Sequence, residues 1–237
     1  MVKKPKKVND ISKENSSKRL GDMKGKYEEY CKDVSQLHVY IANGNQKTGA
    51  AVPSVSLIPV FNCSNCSSCK AKCYDLRNDC CYPGCRDKRA VNAAILEMDR
   101  KRYFGEIDQA VKCFRFFRWH IGGDIVDLDY FENMVQIAVM NLHCDFLVFT
   151  KSFDIVNEWL DKGTLLPSNL HVVFSNWVGQ NENNPYNLPT SNPLFADGST
   201  TAHDGAVWCS GNCTECARGN SGCWTMKNGD EVIFPLH

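Results

Sequence analysis

Between Phe61 and Arg86 the chain reads FNCSNCSSCKAKCYDLRNDCCYPGCR, seven cysteines in a stretch of 26 residues. A loop this dense in thiols is shaped by whatever the thiols hold, either one another or a metal. Its surroundings bear on which. The segment 1–26 carries nine of the 27 Lys and Arg residues and three of the 27 Asp and Glu, leaving an acidic body behind a basic tail. That tail lacks the apolar core of a secretory signal, and no run approaches the ~18 apolar residues of a membrane span. The reading that follows is a protein of a reducing cytoplasm, without membrane association, where a disulfide framework is disfavoured and the thiols are free for metal.

The fourteen cysteines sort by spacing. Cys31, Cys113 and Cys144 stand alone beside apolar residues and read as small buried side chains. Cys63, Cys66, Cys69 and Cys73 follow C-x2-C-x2-C-x3-C. Cys209, Cys213, Cys216 and Cys223 follow C-x3-C-x2-C-x6-C, while Cys80, Cys81 and Cys85 are left over in the first loop. A zinc site closes a tetrahedron with two C-x2-C pairs held apart by a longer loop. Three cysteines at successive three-residue steps and then a fourth form instead the bacterial ferredoxin run. Here Tyr74 replaces the proline that ends that run. Eight thiolates suffice for one or two [4Fe-4S] clusters, with zinc as the alternative. Small residues such as Ser64, Ser67 and Ser68 would let the loop wrap closely. The expected division puts Cys63, Cys66 and Cys69 on one cubane and Cys213, Cys216 and Cys223 on another, with Cys73 and Cys209 crossing. Cys209, Cys213 and Cys216 also match the spacing with which radical enzymes leave one iron open to S-adenosylmethionine. Against that cofactor, the triplet closes the chain instead of opening it, and Cys223 stands ready as a fourth ligand.

Hydrophobic patterning frames the two loops. Few apolar residues populate 1–26, so ordering it would cost ~1–2 kcal/mol of backbone entropy per residue with little burial in return. A disordered tail (1–26) and a single α/β iron–sulfur domain (27–237) are expected, the tail's lysines being available to nucleic acid. SVSLIPVF (54–61), CFRFFRWH (113–120), CDFLVFT and NLHVVFSNW read as strands. Residues 86–110, LDYFENMVQIAVMNL and FDIVNEWLDKG read as helices. An Asn- and Pro-rich loop spans 178–204, GAVWC follows it, and EVIFPLH reads as a last edge strand. Strands alternating with helices imply βα units and a parallel sheet, here a partial or irregular (β/α) barrel with the Cys-rich loops at the carboxyl strand ends. A doubly wound parallel sheet is the alternative.

In either architecture ligands gather where parallel strands end. The residues just past each apolar run become site candidates: His120, Asp124 and Lys151 for catalysis, and Gly122, Gly123 and Ser175 for holding a cofactor. Each has a structural reading too. Asp124 could cap the next helix, Lys151 could offset cluster charge, and Trp119, Trp177 and Trp224 could cover a cluster or stack on a base.

Several blocks carry a resemblance. NGNQKTGAAVPSVSLIPVFNCSNCSSCKAKCY, FRWHIGGD, FLVFTKS, VVFSNW and the closing CSGNCTEC…CWTMKNGDEVIFPLH look like the bacteriophage gene-product-eighty-eight family, over about Leu37 to His237. The resemblance implies Cys63, Cys66, Cys69, Cys73, Cys209, Cys213, Cys216 and Cys223 as the family's cysteines, Cys80, Cys81 and Cys85 as local additions, and action inside a bacterial host cell. It implies no reaction.

Three functions stay open: a redox or radical-type enzyme with a substrate or redox partner on the face of His120, Asp124 and Lys151; a nucleic-acid module with a structural cluster or zinc; and a cluster that only pins the chain together.

Overall fold

The computed structural model describes residues 13–44, 48–49, 51–66, 69–70, 73–76, 83–178, 183–195 and 197–235, with the side chains of 13–16 and of Pro83 excepted. Cys80, Cys81, Ser67 and Ser68 lie outside these residues.

Eight strands form one sheet. They are β1 (Ile41–Ala42), β2 (Ser54–Val55), β3 (Phe116–Trp119), β4 (Asp145–Thr150), β5 (Leu170–Ser175), β6 (Thr190–Leu194), β7 (Val207–Trp208) and β8 (Glu231–Pro235), in the order β1-β2-β3-β4-β5-β6-β8-β7. Only the β1–β2 pair is antiparallel. The sheet is open, with β1 and β7 at its two edges. The order climbs without reversal as far as β6, as successive crossovers of one hand require.

The helices α1 (Lys13–Tyr30), α2 (Pro83–Met98), α3 (Arg100–Val111), α4 (Leu128–Met140) and α5 (Phe153–Asp161) share one apolar core with one face of the sheet. Period-two alternation divides each strand between two faces. Phe117, Trp119, Phe146, Val148, Val172 and Phe174 enter that core. Phe116, Leu147 and Val173 face the other way, onto Ala217 of α6 (Cys213–Arg218) and Trp224 of the 3-10 turn Gly222–Trp224. Among the described residues the second face carries only α6 and the 3-10 turn, a smaller layer than the helices of the first.

Several local expectations change. The segment expected to be disordered is helical from Lys13 onward. Its sparse apolar residues are well spaced: Leu20, Met23 and Tyr27 recur at i, i+3 and i+7, Met23 is fully buried, and both flanking residues pack on the same core. Its charges are partly used within the fold, Lys26 and Tyr30 both reaching Asp87 and Arg86 reaching Asp22 at 3.4 Å. The single helix expected over 86–110 is two, α2 and α3, divided at Asp99, whose side chain accepts from Arg102 N at 3.1 Å as an N-cap.

The strand read over 54–61 stops at Val55. EVIFPLH is no edge: β8 lies between β6 and β7, and β7 takes the edge. The Asn- and Pro-rich loop hides β6, whose sequence TSNPL carries no apolar alternation. Burial there is satisfied by side chains: Asn192 accepts from Asn176 at 3.0 Å and Thr201 at 2.8 Å and donates to Thr190 at 3.2 Å.

Candidate metal centre and ligand cavity

Both cysteine segments open onto one cavity of about 520 Å³, within the range typical of small-molecule sites. It lies on the sheet face away from helices α2 to α5. Cys63, Cys66, Cys69 and Cys73 line it on one side, and Cys209, Cys213, Cys216 and Cys223 on the other. No described cysteine is in a disulfide, and Cys85 is exposed on α2, apart from this lining.

The first segment is tied to neighbouring strand ends by polar side chains. Asn62 accepts from Ile58 N at 3.1 Å, and its carbonyl takes Asp124 N at 2.9 Å. Asn65 donates to Lys151 O at 2.8 Å, and the Ser64 hydroxyl meets that of Ser152 at 2.7 Å. Val60 sits at φ +68°, an unfavourable conformation for a β-branched residue, and its N–H points to Cys63 Sγ at 3.3 Å. Cys66 and Cys69 lie 4.0 Å apart. The hydrogen bond with Cys63 and then burial push the Cys66 thiol up to about 11, while burial and Asp75 push Cys73 up to about 12.

The second segment is a plug. Trp224 meets Phe116 edge to face at 5.3 Å, and Ala217 packs on the same apolar patch. Asn212 caps α6 by accepting from Glu215 N at 3.2 Å, and Thr214 ties the helix to Thr48 O at 2.6 Å. Gly211 N points to Cys209 Sγ at 3.4 Å, and the Ser210 hydroxyl lies 3.3 Å from Cys216 Sγ. Burial pushes the Cys223 thiol up to about 12, and Cys209, Cys213 and Cys216 add to that. Cys223 thus has the other three thiols of its own segment as neighbours, and Cys73 has Cys69. Among the described residues, no three His, Cys, Asp or Glu side chains close on a common point as they would around a single ion.

Two cations serve the cavity. Arg118, only 9 % exposed, stacks over Phe149 at 4.8 Å and reaches Cys213 Sγ at 4.0 Å, its Nε unpartnered. Lys151 follows β4 on the same sheet face, donates to Ser175 Oγ at 2.6 Å and lies 5.9 Å from the Trp177 ring centre. Arg118 escaped the sequence reading, although it alternates with Phe116 along β3 and so shares its face.

The remaining candidates divide. His120 lines the cavity at φ +57°, 3 % exposed and with both ring nitrogens unpartnered, and burial lowers it to about 3. Asp124 does not cap α4; Asp127 does, accepting from Tyr130 N at 2.8 Å. The Asp124 carboxylate is bound by Thr150 Oγ1 at 2.6 Å and by the amides of Lys151 and Ile125, both at 2.8 Å. Burial raises its affinity for a proton, and its partners mark it as a brace between β3 and β4. Gly122 and Gly123 also line the cavity, but a side chain at either would collide with Asp75 or Leu57, and Gly123 has φ +80°. The chain's own packing accounts for both glycines. Trp119 is sealed in the helix-side core, Trp224 covers the second segment, and Trp177 lines the cavity.

The gene product 88 family model matches residues 13–206. The chain belongs to this family. The match takes in the whole first cysteine segment and stops before Cys209. No curated protein matches the chain, and no solved structure does. Among the described residues of this family member, no helix is long and apolar enough to cross a membrane.

Proposed function

We propose that the protein is a phage iron–sulfur protein of the host cytoplasm, holding [4Fe-4S] clusters through two cysteine sets and using them for electron transfer or radical-type redox chemistry. The observation that carries this reading is convergence: eight thiols from segments far apart in sequence line one cavity, each set with backbone N–H donors and a nearby cation. We read the open sheet as part of an irregular (β/α) barrel whose interior is given over to that cavity.

The donor chemistry fits the group. Thiolates are the ligands such clusters require, and N–H donors at the sulfurs are what tunes them. Once bound, a cluster supplies one-electron transfer. The chain does the rest: Arg118 offsets negative charge at the second set, Lys151 lies near Cys69, and Trp224 excludes water from the sheet side. Cys223, grouped with Cys209, Cys213 and Cys216, supplies a fourth thiolate. That favours a closed centre there over one left open to S-adenosylmethionine.

Anaerobic purification with iron, sulfide and zinc analysis, and absorption spectra before and after dithionite, tests the proposal. A brown protein with about four or about eight iron and sulfide per chain, bleaching on reduction, is expected. A colourless protein with stoichiometric zinc overturns it and makes both segments structural staples.

A further inference from the structure

The two cations of the cavity differ in what is left for them to bind. Arg118 is enclosed, stacked on Phe149 and against Cys213. Lys151 is only part-buried, and its ammonium has one hydrogen-bond partner, the neutral hydroxyl of Ser175 at 2.6 Å. Among the described residues no carboxylate comes within ion-pair distance of it. The nearby Asp124 offers its oxygens instead to Thr150 and to backbone amides, that of Lys151 included. An ammonium that faces a largely apolar cavity with one neutral hydrogen-bond partner has N–H donors left for an anionic group. Beside it stands the indole of Trp177, which can take a planar or apolar body.

We infer that Lys151, Ser175 and Trp177 form the binding subsite for a small organic anion, a carboxylate or phosphate attached to an aromatic or apolar body. Lys151 and Ser175 hold the anionic group, and Trp177 stacks on the body. The inference deepens the proposed function by naming the class of molecule the cavity admits beside the cysteine sets. Its test separates the two, because metal content is measured on the same sample.

Isothermal titration of the full chain as purified, with phenylacetate, phenyl phosphate and neutral benzyl alcohol, gives the readout. At least one aromatic anion is expected to bind at least about tenfold more tightly than the alcohol, a difference of ~1.4 kcal/mol. The stronger of the two anions tells carboxylate from phosphate. Lys151→Met should lose about tenfold in anion affinity, Lys151→Arg should retain binding, and Ser175→Ala should weaken it severalfold without disturbing the fold. The assignment is overturned if no anion binds up to about 10 mM, if the alcohol binds as well as the anions, or if Lys151→Met leaves affinity unchanged. Loss of iron in Lys151→Met also overturns it, by placing Lys151 in the metal centre.

Discussion

The two cysteine segments supply four thiols each to one cavity, yet they are attached in opposite ways. The first hangs from strand ends by directional bonds from Asn62, Ser64 and Asn65, and includes a residue, Val60, held in a strained conformation. The second is a short capped helix and turn seated by Trp224 and Ala217 on the sheet face away from the helices. Hydrogen bonds each contribute ~0.5–1.5 kcal/mol but fix direction. An aromatic anchor contributes more and directs less. The first segment is thus built for placement and the second for adhesion.

Cysteine replacement is the sharpest way to break this comparison. On the iron–sulfur reading, Cys66→Ser and Cys213→Ser should each remove about half of the iron if each segment holds its own centre. Joint loss of all iron in either variant would show that the thiols are shared between segments.

Trp224→Ala comes next. Emptying that anchor should cost ~3–5 kcal/mol, seen as a lower midpoint in denaturant, and should release the second centre while the first keeps its iron. Equal loss from both segments would mean that the plug supports the whole cavity.

Acid should act through His120, at the end of β3. Its folded-state pKa is depressed to about 3 from an ordinary value near ~6.5, so the unfolded chain binds the proton that the folded chain refuses. Stability should therefore be intact above pH ~6.5 and fall by up to ~1.4 kcal/mol per pH unit as the pH drops from there toward 3. His120→Asn, which tolerates a positive φ, should flatten that part of the profile, measured by urea titration at several pH values.

The smallest effect belongs to a single tether. Asn65→Ala should cost ~0.5–1.5 kcal/mol and loosen iron binding at the first segment alone. A change confined to the second segment would invert the comparison.

The helices and central strands were legible because burial on one face writes a period into the sequence. FDIVNEWLD and DFLVFT show theirs plainly and became α5 and β4. Strand β6 was illegible because Thr190, Ser191 and Asn192 satisfy their polarity against Glu231, Phe174 O, Asn176 and Thr201, partners that appear only when other parts of the chain arrive. Helix α1 was misread for a related reason: three well-spaced apolar residues suffice once α2 and the core meet them. At the site, cysteine spacing was legible, and so were His120 and Lys151 as strand-end residues. The structural duties of Gly122, Gly123 and Asp124 were not, since Asp75, Leu57 and Thr150 come from other parts of the chain.

Sequence alone determined the local chemistry: two sets of four thiols at ligand spacing, an alternation of strands and helices, and polar residues at strand ends. Spacing and periodicity are properties of neighbours along the chain, and a short segment carries them whole. Tertiary structure decided that both sets face one cavity, that Arg118 is enclosed against Cys213 while Lys151 is left facing the cavity, and that β8 lies inside the sheet. Those facts depend on which distant segments meet, and strand pairing and burial settle that only when the whole chain folds.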